Sequence, residues 1–286
     1  MTLRQAVAEA AAHLSTNPHF NAEVRRDAEL LLLHTLGITR AQFLANPSRT
    51  LTEEEQSLYQ QAIARRLKNE PVQYITGHQE FFGLDLRVTP ATLIPRPETE
   101  HLVEAVLERL PRSQPLTILD IGTGTGAIAI ALAAHLPQAQ LVATDISEDA
   151  LRVAESNARG HGLAGRIRFL HSDLLSGLPL PEQSGFFDAI VSNPPYVAES
   201  DRDMLHPQVR NFEPAQALYS GEHGLDIYRR LIPQAHASLK PGGLLALEIG
   251  HGQRDDLAYL LSTWNDVHFV NDLQQIPRVG LARSRQ

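Results

Sequence analysis

Apolar residues near the start of the chain return at helical spacing. Leu3, Val7, Ala10 and Leu14 form one series, Val24, Ala28, Leu31 and Leu32 a second, and Leu58, Ile63 and Leu67 a third. Side chains three or four residues apart share a helix face, so these series predict an all-helical segment over residues 1–73. Pro18, Gly37 and Pro47 punctuate it. Thr52, followed by Glu53, Glu54 and Glu55, predicts a capping box at the start of the third or fourth helix. There a threonine hydroxyl and a glutamate three residues on each satisfy a free backbone N–H.

The period changes at residue 74. Tyr74, Ile75, Phe81, Phe82, Leu84, Leu86 and Val88 approach alternation, with Gly77 and Gly83 as turn residues, and predict a β-hairpin linker over residues 74–95. Pro95-Arg96-Pro97-Glu98-Thr99-Glu100 then leads into a helix through Leu110. From Leu116 strands and helices alternate. Strands are predicted at Thr117–Ile121, Gln140–Thr144, Arg166–His171, Phe187–Ser192 and Gly243–Ile249. Helices are predicted after the first strand through Leu136, from about Asp149 to Gly160, and over about Gly224–Leu239. Residues 175–186 read as a long loop. This succession predicts an α/β domain over residues 96–286, with a mostly parallel sheet covered by helices on both faces. Ligands of such sheets sit at the carboxyl ends of the strands.

Composition narrows the chemistry. The 286 residues carry a formal net charge of -8 and no cysteine. Disulfides, thiolate zinc sites and cysteine nucleophiles are excluded, and no global basic field draws in nucleic acid. Residues 1–75 hold eight cationic and eight acidic side chains, so the acidic excess lies downstream. The thirteen histidines are scattered without ligand spacing, and no metal site is expected. The N-terminus lacks the continuous apolar run of a signal peptide, and no stretch of about 18 uncharged apolar residues occurs. A cytoplasmic protein without membrane association is expected, acting as a monomer.

The first α/β strand ends in Asp120-Ile121-Gly122-Thr123-Gly124-Thr125-Gly126 and runs straight into a helix. Glycines permit a tight turn and close approach of the backbone to a ligand, and a helix N-terminus suits a carboxylate. Asp120, Gly122, Thr123, Gly124, Thr125 and Gly126 are therefore candidates for cofactor binding. A dinucleotide site needs Gly-x-Gly-x-x-Gly, and here the third glycine comes one residue early. Asp145, ending the second strand, can accept from both hydroxyls of a ribose or cap the next helix, a task Ser147 could serve equally well. After the third strand, Asp173 can accept from an exocyclic amine of an adenine or cap a turn, and Leu174 can cover a ring face.

The fourth strand ends in Ser192-Asn193-Pro194-Pro195-Tyr196. Two prolines remove two N–H donors and fix two φ angles, and Asn193, before a proline, is pushed to extended geometry. The result is a stiff corner beside the expected cofactor place, which Asn193 borders. A planar –NH2 has two hydrogens. The Asn193 side-chain oxygen can accept one and the Pro194 carbonyl the other, while the Tyr196 ring offers a face for stacking. Such a corner suits attack by an amide-like nitrogen on an activated methyl carbon. In-line alignment of well-oriented reactants contributes up to roughly 7–11 kcal/mol. Asn193, Pro194, Pro195 and Tyr196 are the candidate catalytic residues.

At these residues the chain resembles the release factor glutamine methyltransferase family, the HemK/PrmC type. The resemblance covers nearly the whole chain. It rests on the helical N-terminal part, the hairpin Gly77–Val88, Ile94-Pro95-Arg96-Pro97-Glu98-Thr99-Glu100, Asp120–Gly126 and Asn193–Tyr196. Many methyltransferases share the glycine loop, and enzymes that methylate adenine or guanine amino groups share Asn-Pro-Pro-Tyr. The Arg-Pro-Glu-Thr-Glu stretch joined to the helical domain narrows the match. The resemblance implies a Rossmann-like class I methyltransferase fold and S-adenosyl-L-methionine as cofactor, contacted by Gly122 to Gly126, Asp145 and Leu174. It implies methylation of the side-chain amide nitrogen, N5, of the glutamine in the Gly-Gly-Gln motif of peptide-chain release factors, held by Asn193 to Tyr196, with the helical domain docking that partner. Position 174 departs somewhat, since relatives can carry an aromatic residue there. The alternative for the same pocket is a nucleic-acid methyltransferase acting on adenine N6 or guanine N2. It predicts a basic face with exposed aromatics. With 6% aromatic residues and an acidic balance, direct nucleic-acid binding is not expected. Arg96 is expected either to meet a ligand carboxylate or acidic partner, or to pair with Glu98 or Glu100. Glu248-Ile249-Gly250-His251-Gly252-Gln253 matches the family without an assignable role.

Overall fold

The computed structural model describes residues 1–20, 23–178 and 185–285. The chain divides into two compact units, Met1–His78 with Met204–Phe212, and Gln79–Asp203 with Glu213–Gln286.

The smaller unit is helical: α1 (Leu3–Leu14), α2 (Val24–Leu36), α3 (Arg40–Ala45), α4 (Glu53–Leu67), α5 (Val72–Thr76) and, from the later segment, α9 (Pro207–Phe212). The series seen in the sequence forms its core, with Leu3, Val7, Leu14, Ala28, Leu31, Leu32 and Ile63 buried together. The Thr52 capping box is present at α4. The Glu55 N–H donates to Thr52 Oγ1 at 3.2 Å and the Thr52 N–H to Glu55 Oε2 at 2.9 Å. Tyr74 and Ile75 lie in α5 and not in a strand. Pro71 opens that turn and Gly77, at φ 81°, closes it in the left-handed region, so burial of both side chains wins over their β preference.

The hairpin begins after α5 as β1 (His78–Phe81) and β2 (Leu84–Arg87). It is anchored in the larger unit, where Phe81 and Leu86 are buried. The Phe82 N–H donates to Glu100 at 2.8 Å and the Arg87 N–H to Asn157 Oδ1 at 2.9 Å.

The larger unit is a seven-stranded sheet ordered β5-β4-β3-β6-β7-β9-β8. Its strands are β3 (Leu116–Ile121), β4 (Ala139–Asp145), β5 (Ile167–His171), β6 (Phe187–Ser192), β7 (Leu239–Glu248), β8 (Asn265–Asn271) and β9 (Pro277–Arg283). The pairings among β3 to β7 are parallel; those of β9 with β7 and β8 are antiparallel. Alternate strand residues face opposite layers. Ile118, Ala189 and Leu244 pack with α6 (Pro97–Arg109), α7 (Ala127–His135) and α8 (Glu148–Gly160). Leu119, Ile190 and Leu245 pack with α10 (Asp226–Ser238) and α11 (Arg254–Leu260). The stretch Ala127–Ala133 of α7 reads Ala-Ile-Ala-Ile-Ala-Leu-Ala and is buried all round, as an apolar stretch of helix without a polar face must be. Residues 179–184, within the expected long loop, lie outside the described residues. Among the described residues no helix is long and apolar enough to cross a membrane.

Candidate active site

The chain leaves β3 for β4 on one side and returns to β6 on the other, so β3 and β6 flank a switch point. Both end at one cavity of about 370 Å3. That is a place where sheets of this kind take ligands.

The first corner of the cavity is backbone. The Gly122 and Thr123 N–H groups both donate to the Thr144 carbonyl, at 2.8 and 2.9 Å, tying the glycine loop to the end of β4. Gly122, Gly124 and Gly126 have φ of 71°, 56° and 82°, where a side chain is costly. At Gly126 an added Cβ would also lie 3.2 Å from the Ala154 Cβ. Gly122 to Thr125 line the cavity with Asp145. Gly126 does not; it caps α7. Asp145 Oδ2 accepts from the Gly124 N–H at 2.9 Å and Oδ1 from the Ser147 N–H at 2.9 Å. Ser147 is the cap of α8, its side chain accepting from the Ala150 N–H, so Asp145 remains at the cavity wall. Burial raises the Asp145 pKa, opposed by the N–H groups of Ser147, Gly124 and Ile146.

Asp120 lies fully buried off the cavity wall. Its Oδ2 accepts from Thr123 Oγ1 at 2.6 Å, and Oδ1 has no partner among the described residues. Burial pushes its pKa to about 7, against the Thr123 hydrogen bond. Asp173 and Leu174 also line the cavity. The Asp173 carboxylate is paired at 2.5 Å with Arg230, a further lining residue, so it meets a cation before any ligand amine. Leu174 is buried with φ at 54°, an uncommon conformation for leucine.

The second corner is Asn193-Pro194-Pro195, all three lining the cavity. Asn193 Nδ2 donates to Thr99 Oγ1 at 3.1 Å, leaving its oxygen as the acceptor on offer. Tyr196 is not among the lining residues. Its ring packs on the core and its hydroxyl donates to Glu248 Oε1 at 3.3 Å. Glu248 is buried, and burial pushes its pKa to about 7, partly offset by the Thr99 and Tyr196 hydroxyls. The Gln253 side chain donates to the Tyr196 carbonyl at 2.9 Å and accepts from the Gly250 N–H at 3.0 Å. The segment from Glu248 to Gln253 is thus the support of the proline corner.

Sequence reasoning missed several wall residues. Thr92 and Leu93 come from the stretch before α6, and Pro214, Gln216 and Tyr219 from the segment between α9 and α10. They carry no motif and meet only through folding. Arg96 also lines the cavity, but its partner is Glu213, with neither Glu98 nor Glu100 engaged as expected. Glu213 also accepts from the Ile94 N–H at 3.3 Å. Burial raises its pKa and the Arg96 cation opposes the rise.

Sheet order, glycine loop and proline corner together define a class I methyltransferase, and solved structures agree on the fold. The hMettl16 catalytic domain in complex with a 3′UTR hairpin is similar with TM-score 0.56 and 18% identity, covering 82% of this chain and 83% of that one. A T. thermophilus 16S rRNA methyltransferase, RsmC, in complex with AdoMet and guanosine, is similar with TM-score 0.54 and 22% identity, covering 73% and 50%. Residues 5–77 match the PrmC N-terminal domain family and residues 99–212 the methyltransferase small domain family. The release factor glutamine methyltransferase of Koribacter versatilis is 48% identical over 99% of both chains, and that of Moorella thermoacetica 45% identical over 100% of both. The chain belongs to the release factor glutamine methyltransferase family and is a methyltransferase.

Proposed function

We propose that the protein transfers a methyl group from S-adenosyl-L-methionine to N5 of the glutamine in the Gly-Gly-Gln motif of peptide-chain release factors. The observation that carries this reading is the meeting of the glycine loop, Asp145 and Asn193-Pro194-Pro195 at one cavity. The family membership and the names of the relatives support it.

The cavity suits the cofactor by its donor set: side-chain-free backbone at Gly122 and Gly124, the α7 N-terminus for a carboxylate, and Asp145 for ribose hydroxyls. Asp173 and Leu174 would border the adenine, with Arg230 neutralising Asp173. When bound, the cofactor supplies an electrophilic methyl carbon on a sulfonium. The protein's part is orientation. Asn193 Oδ1 and the Pro194 carbonyl would each accept one hydrogen of the amide –NH2 and aim the nitrogen's lone pair. Two prolines remove the N–H donors of this corner, and the β6 ladder stops before it, at Ser192. Tyr196 would act from behind, by holding the corner through Glu248, since its ring is off the wall. No side chain in the corner is placed as a strong base. The proton leaves after transfer, when the methylated nitrogen is acidic.

The helical unit would dock the release factor, its balanced charge fitting a protein surface better than a phosphate backbone. The setting proposed is the cytoplasm, with the protein acting as a monomer. Incubation with methyl-labelled cofactor and purified release factor, RNA or DNA is the test. Label on the Gly-Gly-Gln glutamine is expected. Label appearing only in nucleic acid would overturn the substrate.

A further inference from the structure

Two arginines line the cavity, Arg96 and Arg230, and each is paired with an acid. The pair of Arg230 with Asp173 is open to water, its side chains 49% and 45% exposed. The pair of Arg96 with Glu213 is built differently. The Glu213 side chain is 0% exposed and that of Arg96 28%. Both Glu213 oxygens are taken, Oε1 by Arg96 Nη2 and Oε2 by the Ile94 N–H at 3.3 Å. Glu213 therefore offers nothing to a ligand and serves to fix the guanidinium. A guanidinium carries five N–H donors in a rigid fork. Glu213 takes one of them, and the Arg96 side chain has no second partner among the described residues. Donors of a held cation are left over at the cavity wall. Arg96 also caps α6, its carbonyl accepting from the Thr99 N–H at 3.0 Å, and Thr99 Oγ1 accepts from Asn193 Nδ2 at 3.1 Å. Arg96 thus stands one helical turn from the residue that touches Asn193.

We propose that Arg96, held by Glu213, binds a main-chain carbonyl of the release-factor segment that carries the glutamine. Arg96 is a substrate-binding residue and Glu213 a positioning residue that acts through it. The charges of the pair cancel, so Arg96 offers direction more than net charge. That suits a neutral carbonyl oxygen; a carboxylate in the same place would also meet the negative charge of Glu213. The side-chain carbonyl of the glutamine is the wrong acceptor. A cation on that oxygen draws the amide lone pair away from the nitrogen and dulls it as a nucleophile. A main-chain carbonyl carries no such penalty, and its capture fixes the strand of substrate from which the side chain enters. Arg96 therefore reads the peptide, while the proline corner reads the –NH2. This inference rests on the reading of that corner as the glutamine site.

The test is steady-state methylation of a purified release factor, with cofactor binding by calorimetry, for Arg96→Gln, Arg96→Lys, Glu213→Gln and Asn193→Ala. Arg96→Gln is expected to raise KM for the release factor about tenfold or more, to change kcat at saturating release factor far less, and to leave the cofactor Kd as it was. Arg96→Lys keeps a donor and the pair with Glu213 but loses the fork, so its KM should fall between those of parent and Arg96→Gln; it carries the test should glutamine disturb the fold. Glu213→Gln should raise KM in the same sense by a smaller factor. An unchanged KM in both Arg96 variants beside an inactive Asn193→Ala would overturn this inference alone. So would a weakened cofactor Kd, which would give the donors to the cofactor carboxylate, or a change confined to kcat, which would give them to the glutamine side chain. Normal turnover by Asn193→Ala would instead sink the reading of the corner itself.

Discussion

The two corners of the cavity are built by opposite means. The glycine corner is held by backbone and by neighbours about 20 residues away, through the Thr144 carbonyl and the Asp145 carboxylate. The proline corner is held by side chains from far along the chain: Thr99, 94 residues before Asn193, and Glu248 and Gln253, 52 and 57 residues after Tyr196. A corner made of backbone tolerates change in its surroundings but not in its own glycines. A corner made of borrowed side chains can be loosened from a distance while its own residues stay intact.

Four substitutions sharpen that contrast. The largest effect is expected for Asn193→Ala, with turnover down about 10^2- to 10^3-fold, the cost of losing one group aimed at the reacting atoms. Cofactor affinity should not change, and a weakened cofactor Kd would merge the two corners into one. Next is Gly126→Val. Its φ of 82° and the nearby Ala154 and Ile130 side chains should lower unfolding free energy by about 2–4 kcal/mol. A urea midpoint equal to that of the parent would show the loop yields. Asp145→Ala should weaken cofactor binding about tenfold, with kcat at saturating cofactor little altered; an unchanged Kd would take ribose away from Asp145.

The smallest effect is the pH dependence of Glu248. Its pKa in the folded protein is about 7, raised from an ordinary 4.5 mainly by burial. The folded state holds that proton more tightly, so the stability it contributes is full below pH 4.5 and is lost as pH rises through 7. In Glu248→Gln this share is absent, and the thermal midpoint should fall less between those pH values than in the parent. Identical slopes would show that Glu248 does not titrate there.

Much of the molecule is legible in its sequence because periodicity reports burial. Strands β3, β4 and β6 are mostly apolar stretches that run into a glycine, an acid or an Asn-Pro pair, and their registers put Ile121, Thr144 and Ser192 side by side. The reading fails where local preference and packing diverge. Tyr74 and Ile75 suit a strand but are buried in a helical turn. Beyond Ile249 the alternating Val267 and Phe269 of β8 are half-buried at the sheet edge, a weaker pattern than a central strand makes.

The site divides in the same way. Asn193-Pro194-Pro195 and the glycine loop carry their conformations in their own residue types, because proline fixes φ wherever it stands and glycine alone enters the left-handed region at little cost. Tyr196 on the core side, Arg96 on Glu213 and Asp173 on Arg230 depend on partners that no spacing announces. The sequence alone therefore determined which backbone corners exist and in what order they follow. Only the tertiary structure decided which way the Asn193 amide points, because that depends on the partners that reach it through the fold, and a side-chain torsion has no preference until such partners arrive.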